Sequence, residues 1–586
     1  MRAGVIIRGI RPTAASQEED TRVDNRFDTY VDNPGLQSRL DATAGAYPTL
    51  VRLDVLGHSH EGRPIPLVVV TNATTGPDVE KPAFWVDANI HATEVTGTMA
   101  ALYVIDALVR RYGHDPQVTR LLDEQVVYVV PRLNPDGAER ALAAQPQFLR
   151  SGVRPYPHED RQDGLHPEDI DGDGRILQMR LPDPAGDWRV SERDPRLMVK
   201  RRPHEDGGAY YRVFPEGRIQ NFDGHIVKMA PPYHGLDFNR NFPHNWRPEG
   251  EQFGAGDYPG SEAEIRAVLD FITSHPNIFG AITFHTYSRV ILRPFSDKAD
   301  AEMDADDLWV YEAIGERGTE VTGYPNVSVY HHFRYHPKEV ITGVFDDWMY
   351  SHKGIYAFTV ELWDLATASG VEEKNKEKRF IEWFRKHPVD DDHKILDFVL
   401  ANAPDSLVEW RPYDHPELGP IELGGWNSLH TWRNPPPALL EAEIAPQADF
   451  VIGFAALAPR LRWRAVDAAA LGADTYHIRA VVENAGFLST SGSNRARQVK
   501  AARPVRLEIE LPEGATLMSG KPVEELGHLE GRSNKLGLTF GSSSTDNRGK
   551  VEWVVHAPAG GALSLRAVAA RGGTIRRSVE LPIAAP

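Results

Sequence analysis

The chain has 586 residues, more than one ordinary domain needs, and at 41% hydrophobic and 25% charged it has ample material for a core. Its formal net charge of −18, from 65 Lys+Arg against 83 Asp+Glu, argues against a nucleic-acid partner. It has no cysteine, which excludes disulfides and thiolate metal sites, so any metal must be held by His, Asp or Glu.

Residues 1–24 read as a polar lead-in. The apolar patch in "MRAGVIIRGIRP" is broken by Arg8 and Arg11, so no secretory signal is read; the compartment stays open, with the cytoplasm favoured and secretion expected if the start codon is misassigned. No run reaches the roughly 18 apolar residues of a membrane span. Residues 28–52 carry a helix pattern, "RPIPLVVVTN" and "KPAFWVDANI" are strands, and "TGTMAALYVIDALVRRYG" spaces its apolar residues for a helix. "EQVVYVVPRLNPDG" is a strand running into a turn. From about 150 to 236 the chain is rich in Pro, Gly, Asp and Arg without a clear period, an insertion of the kind that carries function or covers a site.

The alternation resumes with the helix "GSEAEIRAVLDFITSH", the strand "FGAITFH", the helix "DLWVYEAIGERGTEV" and the strand "IYAFTVELWD". "EKNKEKRFIEWFRKH" is a further helix, followed by "KILDFVLANA". The stretch 406–445, with prolines at 435–437, reads as a connector. From 446 to 586, strand-like runs such as "TYHIRAVVENAG", "RPVRLEIELPEG", "KVEWVVHAP" and "LSLRAVAARGG" predict an all-β sandwich. The fold class is therefore α/β over 25–405, a mixed sheet with helices on both faces, followed by a β-sandwich.

In an open α/β sheet, ligands bind beyond the carboxyl ends of the strands. "FWVDANI" delivers His91, with Glu94 just inside the next helix, "GAITF" delivers His285, and "YAFTV" delivers Glu361. The His-x-x-Glu spacing also occurs at His58/Glu61 and His336/Glu339, so spacing alone does not select a site. Two histidines and a glutamate at one sheet edge make a three-ligand catalytic zinc site with a fourth position open to water. Glu361, flanked by Val360 and Leu362, would then be the base for that water.

The motifs "HATE", "NPDG", "LDFNRNFP", "FHTYS" and "FTVELWD", in that order, resemble the M14 (carboxypeptidase A/B-like) family of zinc carboxypeptidases over roughly residues 25–400. The resemblance implies that His91, Glu94 and His285 bind one zinc ion and that Glu361 is the general base and acid. It implies that Asn239 and Arg240 grip the terminal carboxylate of a peptide substrate. The family's carbonyl-polarising arginine is assigned to Arg150, sixteen residues after Asn134, with Arg154 in reserve. The family's mobile-loop tyrosine falls at Glu339, so that role is vacant or moves to Tyr335 or Tyr330. Asp346 falls at the floor of the specificity pocket, which implies removal of C-terminal Lys or Arg unless a protein arginine such as Arg334 already pairs with it.

The implied reaction is hydrolysis of the C-terminal peptide bond by a zinc-activated water. The alternatives are amide hydrolysis on cell-wall peptides or acylated amino acids on the same fold and, from another class, a non-catalytic binding protein. Within the insertion, Asp169, Asp171 and Asp173 of "DIDGDGRI" imitate the start of an EF-hand loop, but Arg180 stands where its last ligand, a glutamate, is needed. Either a calcium ion or arginines such as Arg175 and Arg180 must neutralise the three carboxylates.

Overall fold

The computed structural model describes residues 26–336, 338–372, 379–472, 474–533 and 544–582. The lead-in 1–24, and the start of the helix expected at "EKNKEKRF", lie outside the described residues.

An eight-stranded mixed sheet organises the first part of the chain. Its four central strands, Val126–Val130, Ala83–Ala88, Ile278–Thr286 and Tyr356–Leu362, run parallel. They are apolar almost throughout because both faces are covered. Phe84, Val86 and Ala88 enter one core layer beneath the helices Thr96–Arg111 and Ala305–Thr322. Ala83 and Trp85 enter the other, beneath Ala263–Ser274 and Phe345–Lys353. Among the described residues no helix is long and apolar enough to cross a membrane.

The structure departs from the expected boundary near 405. Residues 406–445 are not a bare connector. The hairpin Leu407–His415/Gly419–Trp426 pairs with Gln178–Pro182 of the insertion and completes a six-stranded sheet with the insertion's other short strands. The helix Pro437–Ala455 then returns to the main core, where Ile444, Ala448, Val451 and Phe454 are buried with Val104, Leu108, Val310 and Ile314. Prolines that read as a linker are this helix's start, with proline tolerated in the first turn where the missing N–H would have no partner.

Phe454 meets Phe84 edge-on, with ring centroids 4.9 Å apart, and both press on Gly280, where an added Cβ would lie 2.9 Å from Phe84. Phe454→Ala should therefore cost about 3–5 kcal/mol of stability. Chemical denaturation measures this, and a loss below about 1 kcal/mol would show that the helix is peripheral to the core.

The C-terminal unit is a sandwich of two four-stranded sheets, as its alternating burial predicts. It is sewn to the α/β unit by buried polar contacts. Asp307, at the start of helix Ala305–Thr322, accepts from the Tyr356 and Tyr350 hydroxyls and from the Asn494 and Arg495 backbone amides, all at 2.8–3.0 Å. Arg571, 2% exposed, donates to the carbonyls of Lys353, Gly354 and Ser491. It thereby satisfies the C-terminal end of the helix Phe345–Lys353, where a cation is favoured.

The insertion does not offer a free calcium loop. Asp169 accepts from the amides of Gly172 and Gly174, Asp173 pairs with Arg175, and Arg411 of the hairpin reaches both Asp171 and Asp173. Arg180 instead pairs with Glu422 at 2.7 Å. The buried Glu216 lies beside Asp169 and Asp171, but its two oxygens accept from the Ile170 and Leu177 amides. The carboxylates that suggested calcium are neutralised by arginines and backbone amides, two of those arginines being Arg175 and Arg411.

Candidate active site

Four side chains converge at the carboxyl edge of the parallel strands. His285 and Glu361 are register partners on adjacent strands, so their side chains leave the sheet on the same face. His91 follows the strand Ala83–Ala88, and Glu94 precedes the helix Thr96–Arg111. That helix has no side-chain cap of its own. Asn434 supplies one from the far side of the chain, accepting from Thr96 N at 3.0 Å and donating to Thr93 O at 2.8 Å, which fixes the turn bearing Glu94.

His91, Glu94 and His285 are buried, and their ligand-capable atoms lie within 4.8 Å of one another. Glu94 Oε2 is 3.0 Å from His91 Nδ1 and 3.2 Å from His285 Nδ1, and the two Nδ1 atoms are 3.1 Å apart. His91 Nε2 faces Asp237 Oδ1 at 3.0 Å. Donation there fixes the tautomer and aims the Nδ1 lone pair at the cluster, as a carboxylate does for a metal-bound imidazole. Burial raises the Glu94 carboxyl, but His91 and His285 hold it well below its ordinary range. Burial lowers His285 and so favours its neutral, ligating form. Two imidazole lone pairs and one carboxylate oxygen converging in a buried spot fit a zinc ion.

Glu361 is partly open to the cleft, yet its Oε2 is sealed from solvent and has no hydrogen-bond partner among the described residues. Burial and the neighbouring Glu94 charge raise its carboxyl well above the ordinary range, against the pull of Arg150, Arg433 and Arg240.

Arg150 donates to Asp237 Oδ2 at 2.9 Å and to Glu94 Oε1 at 3.0 Å. Burial works against its charge, but these two carboxylates keep it protonated. Arg154 turns away to Glu262 and Asp257, so Arg150 is the arginine at the site. Asn239 and Arg240 are buried beside Asp237. Asn239 Oδ1 accepts from Phe345 N at 2.9 Å, which leaves its amide NH₂ to donate elsewhere. Asp346 is 3% exposed and burial raises it to about 6. Arg240 is among the groups that act on it, opposing that rise. Tyr335 is exposed on its loop beside Phe333, and its phenol is among the groups acting on Arg150 and Tyr287.

His58/Glu61 and His336/Glu339 stay outside. Glu61 is held by Arg63 and Arg140, and both His336 and Glu339 are exposed. Two participants escaped the sequence reading. Asp237 stands inside the quoted "LDFNRNFP", two residues before Asn239, and its motif was the available signal. Arg433 acts on Glu361 and lies 5.9 Å from the Tyr287 ring. It comes from the proline-flanked stretch and carried no signal.

Comparison with known proteins places the chain among relatives. A family model described as zinc carboxypeptidase matches residues 36–380, more than half of the chain. A model of a domain of unknown function (DUF8731) matches residues 460–580. Carboxypeptidase A1 of Mus musculus is 24% identical over 344 residues, covering 58% of this chain and 63% of that protein. Carboxypeptidase A2 of Rattus norvegicus is 23% identical over 361 residues, covering 60% and 66%. The chain thus spans just under two thirds of the length of these curated relatives. Among solved structures, thrombin activatable fibrinolysis inhibitor aligns at 20% identity with a TM-score of 0.38, covering 64% of this chain and 76% of that one.

Proposed function

The chain belongs to the zinc carboxypeptidase family, and from that premise we propose that it is a metallocarboxypeptidase that removes the C-terminal residue of peptides. One observation carries the reading: the buried His91–Glu94–His285 cluster stands beside Glu361, whose carboxyl is raised and whose Oε2 is unpartnered. His91, Glu94 and His285 would hold zinc, which when bound supplies a Lewis acid for the scissile carbonyl and lowers the pKa of water.

The protein's own groups do the rest. Glu361 takes a proton from the attacking water and delivers it to the leaving amine, and a carboxyl raised by burial and by the Glu94 charge favours holding the proton between those two steps. Arg150 stabilises negative charge developing on the carbonyl oxygen. Arg240 and the free amide of Asn239 bind the substrate carboxylate through charge-assisted hydrogen bonds. Tyr335 closes over the substrate.

The test compares N-blocked dipeptides carrying a free or an amidated C-terminus, alongside simple acylated amino acids. The free dipeptide should be cleaved and its amide largely spared. Cleavage confined to acylated amino acids would replace the reading with a deacylase.

Asp346 gives the site its expected selectivity. Because burial raises its carboxyl to about 6, it is charged above that pH and neutral below it. Preference for C-terminal Lys or Arg over Leu should therefore rise as pH passes upward through about 6. At neutral pH it should reach roughly 5- to 150-fold, the scale of leaving a buried charge unpaired. Asp346→Asn should flatten the ratio at every pH, and a ratio unchanged in that variant would remove Asp346 from the specificity pocket.

A further inference from the structure

Beside the site lies a cavity of about 870 Å³, the larger end of the range for ligand-binding pockets. Tyr287 and Arg433 form its wall on the catalytic side, and Asn239, Arg240 and Asp346 take no part in it. Arg433 also borders a smaller cavity of about 350 Å³ that Thr93 and Arg150 line, and of the two the larger has the room for several residues upstream of a substrate anchored by its C-terminal carboxylate at Asn239 and Arg240. The larger cavity's walls come from the insertion, from the segment 383–392 and from the stretch 426–433.

Trp188, Trp383, Phe384, Trp426 and Trp432 join Tyr287 in an aromatic lining. Onto that lining project the cations Lys200, Arg202, Lys386 and Arg433, in a chain whose net charge is −18. Among the described residues two acids also line it, and one of them, Asp392, is already paired with His387 at 3.0 Å. A recess with apolar walls and a surplus of one charge focuses its field on a ligand of the opposite sign.

We propose that this cavity is an upstream subsite that selects acidic peptides, those bearing Glu or Asp within the few residues before the scissile bond. The aromatic walls hold the peptide and its side chains by stacking and apolar contact, while the lysines and arginines read the carboxylates. The inference rests on the carboxypeptidase reading and narrows its substrate class.

Binding to the full-length Glu361→Gln protein, loaded with zinc, provides the test. Calorimetry would compare three hexapeptides that share one C-terminal residue and carry Glu-Glu, Ser-Ser or Lys-Lys at the second and third positions upstream of the scissile bond. The Glu peptide should bind about 10-fold more tightly than the Ser peptide, with the Lys peptide weakest, and the preference should shrink with added salt. Lys200→Glu/Lys386→Glu, both at exposed positions, should bring the Glu to Ser ratio to about one or below. Equal affinities for all three peptides, or a ratio that survives the double substitution, would overturn the proposal. Failure of the wild-type protein to cleave any of the three would instead count against the carboxypeptidase reading, and the binding ratios would still decide the subsite.

Discussion

Glu361→Gln is expected to lower turnover by about 10²–10⁴-fold, the usual reach of general acid–base catalysis, with zinc content unchanged. The substitution keeps the side chain's shape and removes its capacity to carry a proton. Because the carboxyl is raised by burial and by the Glu94 charge, the neutral amide should also be well tolerated by the fold. Activity within a few-fold of wild type would exclude Glu361 as the base. Metal analysis on the same preparation separates lost chemistry from a lost ion.

The second large effect concerns the metal itself. The wild-type chain should bind one zinc ion, and His285→Ala should weaken that binding by at least about 100-fold and abolish hydrolysis. Asp237→Asn should have a smaller effect, about 10- to 100-fold, since Asp237 acts on the cluster through His91 Nε2. Competition with a chromogenic chelator measures both without reference to activity. Full affinity in the His285 variant would end the assignment of the cluster.

What could be read from the sequence followed burial. The strands Ala83–Ala88, Ile278–Thr286 and Tyr356–Leu362 are covered on both faces, so they stand out as unbroken apolar runs and the polar residues at their ends are conspicuous. His91, Glu94, His285 and Glu361 were found in that way. The insertion hid its strands because they are three to five residues long and several, such as Trp188–Val190 and Tyr211–Pro215, are only part-buried on both faces. The strand Leu407–His415 hid because only its two end residues are buried, with Glu409, Arg411, Pro412 and Asp414 exposed between them. Its pairing with Gln178–Pro182 joins segments far apart in the chain, which no local pattern encodes. Arg433 and Asn434 were invisible because their partners, Tyr287, Glu361, Thr93 and Thr96, are brought to them only by that long-range packing.

The seam between the two units bears on how the protein can be taken apart. The helix that carries Asp346 ends on carbonyls held by Arg571, and Asp307 of the earlier helix Ala305–Thr322 is satisfied in part by the backbone of residues 494 and 495. Cutting the chain after the helix Pro437–Ala455 would therefore not release a minimal catalytic fragment. It would take from Asp307 two of its four hydrogen-bond donors and leave the carbonyls of Lys353 and Gly354, at the far end of the helix from Asp346, without Arg571. Calorimetry of the intact protein should accordingly show one unfolding endotherm rather than two. Arg571→Ala should likewise lower the melting temperature of the whole protein rather than of the C-terminal sandwich alone, so the sandwich is a strut of the fold rather than an appended module.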